Sequence, residues 1–139
     1  MPVSFSDLIE AFLFVNSGGF GNEAFVDKKS GKIYWRFGHD DEMNEELPDD
    51  IEEAEKYIPV PDKRELDLGK PLVLDFTRQY LADDFDQVSR IFSRRGAYGN
   101  FKDLLVRRGA LDQWHDFENK AQERALRAWC KENSVELTD

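Results

Sequence analysis

The apolar positions of the chain change their rhythm along its length. In "SFSDLIEAFLFV" they recur at helical spacing: Leu8, Phe12 and Val15 share one face, with Ile9 and Leu13 beside it. Ser4 or Ser6 offers an N-cap and Asp7 an acid in the first turn. "NSGGFGN" ends this helix. "EAFVDKKSGKIYWRF" then switches to a period of two. It predicts a strand at 24–27, a turn over 28–31 and a strand at 32–37. In the second strand Ile33, Trp35 and Phe37 face one way, and Lys32, Tyr34 and Arg36 the other.

"GHDDEMNEE" has too little apolar surface to bury, so a mobile acidic segment is expected over about 38–56. Within it, "LPDDIEEAEKY" predicts a short helix with Asp49 or Asp50 near its start. "YIPVP" predicts a third strand, placed at a sheet edge because its prolines lack amide donors.

From residue 70 the period is helical. "KPLVLDFTRQYLA" places Val73, Phe76, Tyr80 and Leu81 on one face. "DDFDQVSRIFSRRG" offers Phe85, Val88, Ile91 and Phe92; "AYGNFKDLLVRRG" offers Ala97, Phe101, Leu104 and Leu105. The longest stretch, "ALDQWHDFENKAQERALRAWCKEN", carries a stripe of Trp114, Phe117, Ala121, Ala125, Ala128 and Trp129. "SVELTD" predicts a short last strand joining the sheet. The pattern predicts an α+β fold. A small antiparallel sheet of three to four strands packs against about four to five helices, and helices dominate the C-terminal half.

A length of 139 residues fits a single domain over 1–139, and 40% apolar residues with 11 Phe, 4 Tyr and 3 Trp suffice for one core. Cys130 is the lone cysteine and has no internal disulfide partner. The start "MPVSFSDLIE" lacks a basic leader region, and no apolar run approaches the ~18 residues of a membrane span. These features predict a cytoplasmic protein without a membrane partner.

Charge changes this picture more than composition does. Residues 40–67 hold 13 acids against 3 bases, which accounts for the whole net charge of −10. The remainder balances, with 16 of each sign. Such a chain is ill suited to bulk nucleic-acid binding, where phosphate contacts dominate affinity, although a local basic patch stays open to it.

That patch begins with a repeat. "RRGAYGNF" at 94–101 and "RRGALDQW" at 107–114 share the Arg-Arg-Gly-Ala start. Each is expected to end a helix, with Gly taking the left-handed turn and the arginines favouring the negative dipole end. Helix ending alone leaves the doubled arginines only partly explained. Arg94, Arg95, Lys102, Arg107 and Arg108 come from consecutive short helices, and Tyr98 and Trp114 can add stacking surface. Lys120, Arg124, Arg127 and Lys131 recur at spacings of four, three and four, a stripe on the wet face of the long helix that Asp116, Glu118 and Glu123 partly offset. The candidate binding set is therefore Arg94, Arg95, Tyr98, Lys102, Arg107, Arg108, Trp114 and Arg124.

The segment "RRGAYGNFKDLLVRRGALDQWHDFENKAQERALRAWCKENSVEL" resembles small acidic bacterial proteins grouped as uncharacterised protein family 0158. The resemblance is carried by Arg95, Gly96, Ala97, Tyr98, Phe101, Lys102, Asp103, Gly109, Trp114, Phe117, Ala125 and Trp129. The "VDKKSGKIY" hairpin, the acidic run with "IEEAEKYIPVP" and the aromatic first helix extend it over most of the chain. Ser93-Arg94 departs from the glycine of the pattern, and "SGGFGN" is looser than its usual join. The resemblance implies a fold and a bacterial origin, and no activity.

Other chemistry finds little footing. "GGFGN" follows a helix and precedes a strand, the reverse of a phosphate loop. His39 with Asp40, Asp41 and Glu42 lacks converging, distant ligands. His115 and Cys130 have no partner pattern, and nothing selects one carboxylate pair for acid–base work. No metal and no cofactor is expected, and the balance leans away from an enzyme. The expected function is a small non-enzymatic binding or regulatory module, meeting an unknown protein partner or a second copy of itself. The alternative is a nucleic-acid-associated protein, or a mimic acting on a nucleic-acid-binding partner. An unrecognised hydrolase is third.

Overall fold

A computed structural model describes residues 2–17, 21–38 and 47–138. It is α+β, with the helices concentrated in the C-terminal half as the pattern predicts. The chain divides into two compact units, one formed by residues 1–63 with 127–139 and the other by 64–126.

In the first unit, β1 (Val3–Ser4) leads into α1 (Phe5–Val15). Ser4 is the N-cap, and its Oγ accepts from the Asp7 amide at 3.4 Å. Leu8, Ala11 and Phe12 are buried, whereas Leu13 is 49% exposed rather than flanking the core. β2 (Glu23–Asp27) and β3 (Ile33–Arg36) form the expected hairpin. Its turn is closed by Gly31 N–H to the Asp27 carbonyl at 2.9 Å, with Gly31 at φ 74°, and the Asp27 carboxylate accepts from the Lys29 amide at 2.8 Å. Burial, the largest single influence, raises the Asp27 carboxyl, but the hydrogen bonds from Lys29 and Ser30 together outweigh it and hold the group below its ordinary range.

β4 (Tyr57–Pro59) is the third strand, and the order β3-β2-β4 puts it at an edge, as its prolines require. Register pairs Ala24 with Trp35 and Val26 with both Ile33 and Ile58. α1 lies over this face: Phe14 meets the rings of Trp35 and Phe37 at 5.1 and 5.0 Å. The opposite face carries Phe25, Tyr34 and Arg36. Arg36 lies over the Phe25 ring and is held by Glu23 and Glu52, which keeps its guanidinium more firmly protonated.

Two expectations fail in this unit. Residues 48–56 make successive turns, not a helix; Ile51, Glu53 and Lys56 each bond back three residues, and the i→i−4 bond of Tyr57 N–H to the Glu53 carbonyl is not continued into a ladder. The last strand, β5 (Leu137–Thr138), does not join the main sheet but pairs parallel with β1. The first part of the acidic segment, residues 39–46, lies outside the described residues.

In the second unit, α2 (Lys70–Tyr80) starts at Gly69 with Pro71 in its first turn. It buries Leu72, Val73, Phe76 and Thr77; Tyr80 is 47% exposed. A 3-10 turn at Ala82–Asp84 precedes α3 (Phe85–Ile91), which fully buries only Val88 of its four expected core residues. α4 (Ala97–Arg107) buries Phe101, Leu104 and Leu105. α5 (Leu111–Glu132) supplies residues to Leu126 here and the rest to the first unit. Its buried positions are Trp114, Ala121, Gln122, Leu126 and Cys130, so the stripe is rotated from the expected one and Ala128 is exposed. The larger Leu126 gains more from burial than an alanine. Phe76 centres the aromatic core, 5.2 Å from Trp114 and 5.3 Å from Phe117, and Trp114 meets Phe101 at 5.2 Å.

Candidate functional site

The two Arg-Arg-Gly units are built differently. The second ends a helix as expected. Arg107 closes α4, Arg108 is its C-cap and Gly109 takes φ 64°. Ala110 N–H reaches the Leu105 carbonyl at 2.8 Å and Gly109 N–H reaches that of Val106 at 3.1 Å, the paired bonds of a Schellman turn.

The first unit does not end a helix, which corrects the sequence reading. α3 stops at Ile91. Ser93 Oγ donates to the Arg90 carbonyl at 2.7 Å, and Ser93 and Arg94 amides bond back three residues. This local bonding competes with a further helical turn. Phe92 turns inward to the rings of Tyr98 and Phe101, at 5.1 and 5.6 Å. Gly96, at φ 73°, is the N-cap of α4, not the C′ residue of α3. Arg94 and Arg95 thus stand just after the negative end of α3 and just before the positive end of α4, and the two dipoles oppose each other there. Dipole compensation accounts for Arg107 and Arg108 but not for the first pair.

The pairs also occupy opposite ends of α4. Eleven helical residues span about 16 Å, so the arginines do not form one cluster. Arg108 is occupied: its Nε and Nη2 donate to Asp84 Oδ2 and Oδ1 at 2.9 and 2.8 Å. The Arg108 guanidinium, with Arg107 nearby, holds the Asp84 carboxyl below its ordinary range, and Asp84 in turn raises Arg108. This fork lies in a shallow cleft of about 420 Å³ lined by Tyr80, Leu81, Ala82, Asp83, Asp84 and Arg108.

Arg94, Arg95, Lys102 and Arg124 are exposed and make no ion pair among the described residues. Tyr98 is 52% exposed; burial around its hydroxyl end, with Glu118 adding to it, raises its pKa. A Cβ placed on Gly69 would stand 3.7 Å from Tyr98 Oη, so the hydroxyl end abuts the start of α2 while the ring flank is open. Trp114 is 6% exposed and belongs to the core, so it offers no stacking surface. Along α5, Lys120 pairs with Asp116 at 2.9 Å and Arg127 lies over the Phe5 ring at 4.2 Å. The basic stripe is therefore already partly engaged.

Tyr98, Lys102 and Val106 stand at successive i, i+4 positions of α4, all exposed, with Val106 at 57%. Val106 was not singled out in the sequence, although its spacing from Lys102 was visible. Asp84 was missed as well, because a partner 24 residues from Arg108 leaves no local signal.

Among the described residues no group of His, Cys, Asp and Glu is placed to hold a metal ion; His39 and its acidic neighbours lie outside them. Cys130 is buried, and burial pushes its thiol up to about 11 despite the opposing charge of Arg127. Among the described residues no helix is long and apolar enough to cross a membrane. No protein-family model, curated protein or solved structure matches the chain.

Proposed function

We propose that the protein is a non-enzymatic binding module of the bacterial cytoplasm whose contact face is the exposed side of α4 with the turn before it. One observation carries this reading. A chain with 29 acids leaves Arg94, Arg95 and Lys102 without an acidic partner among the described residues, beside the open flank of Tyr98. No acid offsets them in the first turn of α4, and Gly96 supplies no capping side chain. Such a surface suits an acidic protein segment: carboxylates meet the arginines, and an apolar group lies on Tyr98 and Val106. The likeness to family 0158 supports the bacterial origin, and it rests on the motif residues alone.

The test is a pull-down from native lysate with and without nuclease, at low and moderate salt, comparing the wild type with an Arg94→Glu, Arg95→Glu, Lys102→Glu variant. The reading expects a nuclease-resistant protein held by the wild type and by Arg108→Ala, and lost by the triple variant. Retention by the triple variant overturns it. Nucleic acid in the eluate, lost with nuclease or salt, favours the nucleic-acid reading instead.

A further inference from the structure

α1 is the electrostatic counterpart of α4. Its charged residues are Asp7 and Glu10, with no base in its last turn. Ser6, Glu10 and Leu13 follow one another on its outer face at helical spacing, with Asp7 on the flank. Leu13, 49% exposed, is a large apolar side chain left open on an otherwise polar face. α4 presents the same design with the opposite sign: Tyr98 and Val106 open at either end of Lys102, with Arg94 and Arg95 before the helix. Three of the four exposed large apolar residues among those described lie on these two faces. The fourth, Tyr80, belongs to the cleft with Arg108.

Resting on the reading of α4 as a contact face, we propose that the acidic segment it takes is α1 of a second copy of this chain. Both helices have eleven residues. Laid side by side in parallel, they bring Glu10 toward Lys102, Leu13 toward Val106 and Asp7 toward Tyr98, with Arg94 and Arg95 beyond it before the helix. The steps of three residues on α1, about 4.5 Å, and four on α4, about 6 Å, stay near register over this length. Asp103 follows Lys102 on α4, Glu118 acts on Tyr98, and Arg127 lies over Phe5 of α1. A single face of this size falls below the ~1,200 Å² of a standard interface, so the association is weak. Each copy carries −10, and the resulting repulsion weakens it further.

Sedimentation equilibrium from micromolar to millimolar protein in about 0.1 M salt tests this, because that ionic strength screens the long-range repulsion while leaving close pairs. The mass-average is expected to rise with concentration above the 16.2 kDa of one chain. Glu10→Lys and Lys102→Glu each weaken association about tenfold, and an equimolar mixture of the two variants regains it, because each reversed charge then meets its opposite. Leu13→Asp weakens it by a similar factor with an unchanged circular dichroism spectrum. A wild type that stays at one chain's mass throughout overturns the proposal. So does association that Leu13→Asp and both charge reversals leave unaltered. Capture of a different acidic protein through Arg94, Arg95 and Lys102 by a monomeric wild type sinks the self-association while leaving the module reading standing. Loss of both sinks the two together.

Discussion

Arg108 grips Asp84 with two parallel hydrogen bonds, Nε to Oδ2 and Nη2 to Oδ1, across 24 residues of sequence. The fork ties the end of α4 to the turn before α3, and Asp84 keeps only 13% of its side chain exposed. Of the four doubled arginines it is the one committed to structure by a described carboxylate.

The pair makes stability depend on acid. Arg108 holds the Asp84 carboxyl below the usual carboxylate range in the folded chain. A depressed folded pKa contributes stability above the unfolded value, near pH 4, and that contribution is lost as pH falls through the folded value. Asp84→Asn is therefore expected to unfold at lower urea than wild type at pH 7, with the gap closing below about pH 4. A gap of equal size at pH 7 and at about pH 2 contradicts the fork.

Two glycines of the Arg-Gly corner separate backbone strain from helix propensity. A Cβ on Gly99 or on Gly109 meets nothing within 4 Å, so neither substitution is decided by packing. Gly99 lies inside α4, and Gly99→Ala is expected to stabilise by about 0.5–1 kcal/mol. Gly109 stands at φ 64°, and Gly109→Ala is expected to destabilise by about 1–2 kcal/mol. Thermal unfolding of the two variants should shift in opposite directions. A shift of the same sign would show that the Schellman turn is misplaced.

The hairpin and the second helix-ending glycine were legible because their signals are local: alternation, a Lys-Lys-Ser-Gly turn, a glycine after a periodic run. The first Arg-Arg-Gly unit carries the same letters and plays another part, because Phe92 finds Tyr98 and Phe101 and Ser93 caps Arg90. Those contacts depend on where α4 packs. Residues 48–56 misled for a related reason. Acids near a start favour a helix, but Ile51 is buried, and a turn places it without a full ladder. At the candidate site, the basic residues were legible as types. The division into an occupied Arg108, a core Trp114 and exposed Arg94, Arg95 and Lys102 needed the fold.

Trp114 tests that division. It is packed by Phe76, Phe101 and Phe117 in the second unit. Trp114→Ala is expected to lower the unfolding free energy by about 3–5 kcal/mol, as for other large-to-small aromatic changes. Tyr98→Ala removes a half-open ring and is expected to cost less than half of that. Urea unfolding of both variants checks the order, and a Trp114 variant of near wild-type stability would return this residue to the candidate surface.

Cys130 is expected to be chemically silent in the folded protein. It is 1% exposed, and burial pushes its thiol up to about 11, so little thiolate exists near neutral pH. A thiol-reactive disulfide reagent at pH 7.5 should label it only through opening of the structure. The labelling rate should then rise with urea in step with unfolding and reach that of a free cysteine in the denatured chain. Because access is limited by opening, a stabilising Gly99→Ala should slow the labelling and Gly109→Ala should speed it, provided the two units open together. Fast labelling of the native protein, insensitive to urea, would mean that Cys130 is reachable from solvent and that this end of α5 is looser than its burial indicates.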